Sequence, residues 1–387
     1  MEQIGREVIS EMQLMKKIAV IGGSYLQLPL VLKAKEIGHE VHCFAWLDGA
    51  VCRDYADKFY PISIVDKEEI LDVCKSVGID AVVTIASDLA VITVNYVAEK
   101  LGLVGNPVEF TDITTNKYAM RHALAAAAVP CPGFVRVKSG EMPDISGLRF
   151  PLIVKPTDRS GSRGVEKIDS PEAIGRALKR AAGESFVNEV ILEEYVEGRE
   201  ISVESISFGG KHYVLQITDK VTTGAPYFVE LEHHQPSSLP DYVKVQVERV
   251  TRQALDALHI QNGASHSEFK IDADGNICVI EIGARMGGDF IGSDLVRLST
   301  GYDFLKGVIQ VALGAFEEPE TGHLAYSGVY FLSKETERLL PVMRDWKSHD
   351  EIVRCEIMSE NLKEIHESAD RNGYMIYKSE IGKWNCG

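Results

Sequence analysis

The chain has no run of about 18 uninterrupted apolar residues, which argues against a transmembrane helix. It has no C-x-x-C pair. Its seven cysteines stand singly, an odd and dispersed set that points to packing or surface thiols, kept reduced in a cytoplasmic home. A Walker A loop, a complete G-x-G-x-x-G, an internal repeat and a low-complexity tract are all missing. So is any excess of positive charge. The formal charge of −16 argues against nucleic acid or an anionic membrane surface as the main partner. A nucleotide stays open, because a few local cations and a metal can hold phosphates inside an acidic protein. The opening MEQIGREVISEMQLMKK lacks the basic start and apolar centre of a signal peptide. It reads as a short amphipathic extension, with Met1, Met12 and Met15 all conceivable starts.

What is present is a soluble, multi-domain composition: 387 residues are too many for one ordinary core. From Lys17 to about Lys100, short β-branched runs (Lys17 to Gly22, Glu40 to Ala45, Ala81 to Ile85) alternate with helical patterns. That alternation predicts a doubly wound parallel sheet. Ile21-Gly22-Gly23-Ser24 is half of a dinucleotide fingerprint. A sharp strand-to-helix turn needs small residues anyway, and the alternative is a loop facing substrate at a helix N-terminus. From Thr111 the texture changes to a helix carrying Lys117 and Arg121, a Pro-broken loop, and then strands with one long helix (about Asp241 to Leu258). Strand-like runs close the chain at Ser327 to Leu332, Ile352 to Met358 and Gly373 to Tyr377.

Four local patterns follow one another in this second part. Ile153-Val154-Lys155-Pro156 is a strand ending in lysine, ordinarily just a solvated edge. Arg159 to Val165 (RSGSRGV) offers small residues whose backbone N–H groups can approach an anion. Leu192 to Glu200 (LEEYVEGRE) carries acids to a Gly-containing bend, where backbone can pair with an adenine edge and carboxylates with an amino group or ribose hydroxyls; a charged hairpin is the plainer alternative. Finally Ser267 to Asp272 and Val279 to Arg285 flank an Asp-Gly turn, a hairpin that sets Glu268 and Glu281 on neighbouring strands. If the strand of Glu281 is central, its carboxylate needs a cation: Mg²⁺, or a lysine or arginine across the strands. His233-His234 is expected in a loop, open to substrate contact.

Taken in this order, the residues resemble the ATP-grasp superfamily, and the phrases HSEFKID (His266 to Asp272) and EIGARMGGD (Glu281 to Asp289) resemble its L-amino acid ligase and carnosine-synthase-like branch. The resemblance spans about 17–315. It implies an extension (1–16), a preceding α/β domain (17–110), an N-terminal lid subdomain (111–196), a C-terminal subdomain (197–315) and a small α+β portion (316–387). The two ATP-grasp halves would clamp ATP between antiparallel sheets. By the same resemblance, Lys117 and Lys155 hold the ATP phosphates under a lid of Ser160, Gly161, Ser162, Arg163 and Gly164. Glu193 with the backbone of Tyr195 and Val196 holds adenine, Glu200 the ribose, and Glu268 and Glu281 hold Mg²⁺. Arg285 faces the transferring phosphoryl group or the acyl intermediate, with His266, Gly287 and Gly288 toward the substrate.

One position departs from the pattern: the family usually has Asn two residues after the second metal acid, and here it is Gly283. Glu281 and water alone would then hold a second ion. The implied activity is ADP-forming ligation of a small carboxylate to an amine, with a homodimer as the family-level expectation. A carboxylase or purine-pathway ligase with the same clamp, a dinucleotide-dependent oxidoreductase built on the N-terminal unit, and an ATP binder without turnover are the competing readings.

Overall fold

The structure, a computed structural model, describes residues 15–138, 141–161 and 163–385. The first sheet holds four parallel strands: β1 (Lys17–Ile21), β2 (Glu40–Phe44), β3 (Lys58–Tyr60) and β4 (Ala81–Val83), in the order β3-β2-β1-β4. Alternate residues of β1 enter different cores. Ile18 and Val20 pack with Leu30 and Val31 of the helix Leu28–Glu36, while Ala19 and Ile21 pack with Ile70 and Leu71 of the helix Lys67–Val77. Burial on both faces is why the strand reads as one apolar run. At its end, a β-carbon on Gly23 would lie 2.8 Å from the Ala45 β-carbon, so close packing with the end of β2 accounts for the small residue.

The second sheet is antiparallel: β5 (Phe134–Lys138), β6 (Leu152–Pro156), β7 (Glu166–Ile168) and β8 (Glu189–Glu194), ordered β5-β8-β6-β7. The helix Ile174–Glu184 covers it through Ile174, Ala177 and Ala181. The third sheet has eight strands: β9 (Arg199–Phe208), β10 (Lys211–Thr222), β11 (Glu230–Gln235), β12 (Gly263–Ile271), β13 (Ile277–Gly283), β14 (Tyr326–Leu332), β15 (Ile352–Ile357) and β16 (Gly373–Ser379). Their order is β13-β12-β9-β10-β11-β14-β16-β15, so the last three strands of the chain extend the large sheet. The helix Asp241–Ala257 packs Val243, Val247 and Val250 onto one face. The helix Phe304–Ala312 lies between the first and third sheets, and its Phe304, Val308 and Ile309 share a core with Val20, Val83, Ile206 and Leu215.

One expectation changes. His233 and His234 are not in a loop but in β11, between β10 and β14. The segment ELEHHQ lacks the β-branched residues that announce a strand, because its side chains meet other polar groups: His233 is registered against Lys220 and His234 against Asp219. The strand of Glu281, whose place in its sheet the sequence leaves open, is the edge of the large sheet. No helix among the described residues is long and apolar enough to cross a membrane.

Candidate functional site

Three structural units frame one polar cleft: the small sheet, the large sheet, and the helix Lys117–Ala126, whose Arg121 and Lys117 reach Glu193 of β8 and Glu281 of β13. On the small sheet, Lys155 ends β6 and Glu193 stands on the neighbouring β8. The Lys155 Nζ lies 2.7 Å from Glu193 Oε2, and Arg121 Nε lies 2.7 Å from the other oxygen. All three side chains are buried. Burial by itself would raise the Glu193 pKa, but the charges of Arg121 and Lys155 overrule it and hold the carboxyl below its usual range. Burial is also the largest influence on Lys155, whose pKa is pushed down despite Glu193. Arg121, four residues after Lys117 on the same helix face, also donates from Nη2 to the Ile280 carbonyl of β13. That spacing was the only sequence signal for its role.

The loop after β6 is open. Ser160, Gly161 and Arg163 are exposed, Gly161 and Gly164 have φ of +69° and +71°, and Ser162 lies outside the described residues. After β8 the chain leaves the sheet: Tyr195 N donates to Pro151 O at 2.9 Å, and Val196 is half-buried beside it. At Gly198 a β-carbon would fall 2.4 Å from the Ile271 carbonyl oxygen, so glycine is required where this linker crosses β12.

Across the cleft, Glu200 of β9 and Glu268 of β12 share Lys220 of β10, at 3.2 and 2.6 Å, with Glu230 at 3.7 Å. Lys270 also reaches Glu200, at 3.0 Å. Burial disfavours the Lys220 charge, yet the surrounding carboxylates raise its pKa well above the ordinary value. Glu268 shows the reverse balance: burial would raise it, and Lys220 and His266 hold it well below.

Glu281 reaches the cleft through a β-bulge. Glu268 is registered against Glu281, but Phe269 against Val279, so Ile280 is an extra residue on β13. Strict alternation would have sent Glu281 into the same core as Ile277 and Val279. With the bulge, Ile282 takes that place in the core instead, and Glu281 turns to the cleft, where Lys117 Nζ meets its Oε1 at 2.6 Å. The same Lys117 Nζ donates to the Arg159 carbonyl at 2.8 Å, at the start of the exposed loop.

At the end of β13, Arg285 is gripped by Asp88, with Nε to Oδ1 at 2.9 Å and Nη2 to Oδ2 at 3.1 Å. His266 bonds Glu204 through Nδ1 and lies 3.3 Å from Glu268 through Nε2. Burial would lower the His266 pKa, but Glu204 lifts it to about 9, so the ring is a cation. Gly287 donates its N–H to Glu204 at 3.1 Å, and a β-carbon there would crowd His266 and Glu204. Gly288 approaches Ala86 and Leu26 of the first sheet's loops. Further along, Arg371 bonds Asp289 at 2.8 Å and Glu230 at 3.0 Å, with buried His233 3.7 Å from Asp289. Asp88, Glu204, Lys220 and Arg371 were not singled out by sequence reasoning. Their partners lie far along the chain, and no local pattern announces them.

Two carboxylates in register on adjacent strands, each partly exposed (26% and 29% for the side chains of Glu268 and Glu281), suit Mg²⁺, which takes one or two protein carboxylates and completes its shell with phosphate and water. Among the described residues no group of three or more His, Cys, Asp or Glu side chains is arranged to hold a metal by itself.

The ATP-grasp domain family matches residues 148–294. An alanine–anticapsin ligase of Bacillus subtilis (strain 168) is 28% identical over 245 residues, 57% of this chain and 51% of its own length. A D-alanine–D-alanine ligase of Parabacteroides distasonis is 29% identical over 185 residues, covering 45% and 55%. The chain thus spans about half the length of these curated relatives. The solved structure of an L-amino acid ligase from Bacillus licheniformis superimposes with a TM-score of 0.79 at 22% identity, over 94% of this chain and 93% of that one. The ADP complex of an N5-carboxyaminoimidazole ribonucleotide synthetase does so with a TM-score of 0.76 at 19% identity, over 94% and 93%. The parallel sheet followed by antiparallel sheets is the fold of these structures, and the stretch 148–294 is similar to the ATP-grasp domain.

Proposed function

We propose that this chain is an ATP-dependent carboxylate–amine ligase, forming an amide or peptide bond between amino acids or similar small molecules with release of ADP and phosphate. The observation that carries the reading is the position of Lys117. It joins the start of an exposed Gly loop to Glu281, one of two in-register carboxylates, on a helix whose Arg121 also fixes the Lys155–Glu193 pair. That position supports a reading in which phosphates, a covering loop and a divalent cation would meet in one place. The relatives' names, alanine–anticapsin ligase and D-alanine–D-alanine ligase, support amino acids as the substrate class.

In this reading Lys117 and Lys155 bind the phosphates, and Ser160, Gly161, Ser162, Arg163 and Gly164 close over them. Adenine lies along the Tyr195–Val196 backbone. The Glu193 oxygens, each with a lone pair to spare, accept from its amino group while fixing Lys155. Glu200 meets the ribose. Glu268 and Glu281 would hold Mg²⁺, whose charge supports alignment of the phosphates. Phosphoryl transfer needs charge neutralisation and alignment more than covalent help, and this chain's lysines and Arg285 supply both. The substrate carboxylate displaces ADP from the γ-phosphorus, and the amine then displaces phosphate from the acyl phosphate. Arg285 stabilises the oxyanion of that second step. His266, Gly287 and Gly288 border the substrate, and the loop keeps water from the acyl phosphate. Single free thiols and ATP use fit a cytoplasmic setting.

The test is phosphate release from ATP and Mg²⁺ across a matrix of paired amino acids, with mass spectrometry of the positives. The expected result is release that needs two substrates and a product one water lighter than their sum. In Arg285→Ala that rate should fall ~10²–10³-fold. Release that needs bicarbonate or formate, or ATP binding without any release, would sink the ligase reading.

A further inference from the structure

We propose that Asp88 is the positioning residue that aims Arg285, and that residue 283 is glycine because the Asp88 carboxylate occupies the space a side chain would need. The proposal rests on the ligase reading for the role of Arg285, but not for the geometry.

Asp88 belongs to the first sheet's unit. It opens the helix Asp88–Leu101, directly after the cap residue Ser87, whose Oγ accepts from Ala90 N at 3.3 Å. A carboxylate in the first turn is favoured by the unpaired N–H groups there. From this fixed base it receives Arg285 Nε and Nη2 through two parallel bonds, at 2.9 and 3.1 Å, which set the plane of the guanidinium as well as its place. Burial would raise the Asp88 pKa, but Arg285 overrules it, and Lys117 and His266 add in the same direction, so the carboxyl stays ionised. The backbone locks the same junction, with Ala86 N donating to Met286 O at 3.1 Å. The arginine therefore rides on the end of β13 while its head is held by a different unit, 197 residues away in sequence.

Gly283 supplies an independent observation. A β-carbon built there would lie 2.8 Å from Asp88 Oδ1 and 3.0 Å from Arg285 Cζ. A side chain at 283 would push against both members of the pair, and one of them would have to shift. The residue lies two positions after Glu281 on β13, so the Asp88 carboxylate meets the strand that carries that acid. The N-terminal unit in this way contributes a group to the site.

The experiment is a double-mutant cycle of Asp88→Ala and Gly283→Ala, read by thermal unfolding, by binding of a non-hydrolysable ATP analogue, and by kcat for phosphate release; Asp88→Asn is added to keep shape without charge. In Asp88→Ala, kcat should fall about 10²-fold while the analogue's Kd stays within about twofold, because a group that aims another affects the reacting geometry and not ground-state nucleotide binding. Asp88→Asn should fall between this variant and the parent. Gly283→Ala should lower both Tm and kcat in the parent, and neither any further in the Asp88→Ala background. Unchanged kcat in Asp88→Ala, equal loss of kcat and nucleotide binding, or additive losses in the cycle would overturn the proposal. The Tm arm needs no substrate. If the parent shows no turnover, the ligase reading and the aiming role fall together, while coupling in Tm still decides whether Asp88 is why residue 283 is glycine.

Discussion

In the small sheet one buried carboxylate, Glu193, is shared by two cations, Lys155 and Arg121; in the large sheet one buried lysine, Lys220, is shared by three carboxylates, Glu200, Glu230 and Glu268. Around Glu193 the cations outnumber the acid, whereas Glu200, Glu268 and Glu230 each find a second cation besides Lys220, in Lys270, His266 and Arg371. A buried cluster with unbalanced charge is costly unless something outside the protein completes it. The excess beside Lys155 suits an anionic ligand. The two clusters also differ in closure. The Lys155 and Glu193 side chains are 7% and 4% exposed, whereas Glu268 and Glu281 keep about a quarter of their surface open.

The comparison can be broken at its tightest point. Glu193→Ala leaves Lys155 and Arg121 buried without their counter-charge, and the expected loss is ~3–5 kcal/mol in urea unfolding. Lys220→Met should also lower Tm, since three carboxylates lose their shared cation, but added Mg²⁺ should recover part of that loss. It should recover none in Glu193→Ala. Equal responses of the two variants to Mg²⁺ would mean that the clusters do not differ in kind.

Next in size for stability is Glu281→Ala, which should abolish Mg²⁺-dependent turnover and lower stability by ~1–3 kcal/mol, because Glu281 is partly exposed on an edge strand but buried Lys117 loses its counter-charge. Full activity in this variant would remove Glu281 from the metal site.

A last prediction lies outside both clusters and serves as their control. Glu232 of β11 binds His234 at 2.9 Å, Arg338 at 2.9 Å and Lys383 at 3.3 Å. Burial would raise its pKa, but the His234 bond and Lys383 bring it down from 4.5 to about 2. A carboxyl depressed on folding stabilises above its unfolded pKa, and the contribution is lost as pH falls through the folded value. The stability advantage over Glu232→Gln should therefore shrink steadily between pH 4.5 and about 2. A constant difference over that range would show that His234, Arg338 and Lys383 do not hold Glu232 as a charge.

Much of the fold was legible because its signals are local. The apolar runs of β1, β2 and β4, the Asp-Gly turn between β12 and β13, and the three closing strands all announce themselves within a few residues. The β11 strand did not, because Gln235 bonds Thr218 of β10, His234 bonds Tyr377 of β16 and Glu232 meets Lys383, partners that its own sequence does not reveal. The bulge at Ile280 was equally hidden, and without it the alternation of β13 points Glu281 the wrong way.

By itself the sequence determined which chemistry is carried: a strand lysine, a glycine loop, an acidic bend and two acids on one hairpin, in a set order. Composition and spacing suffice for that, since each motif lies within one turn or one strand. Only the tertiary structure decided who neutralises whom. Lys220 meets Glu268 from 48 residues away and Asp88 meets Arg285 from 197, and such pairings depend on sheet order and register, which no local window contains. The burial that makes these charges consequential arises only when the sheets close on one another, because a carboxylate in water needs no partner and one in a cleft does.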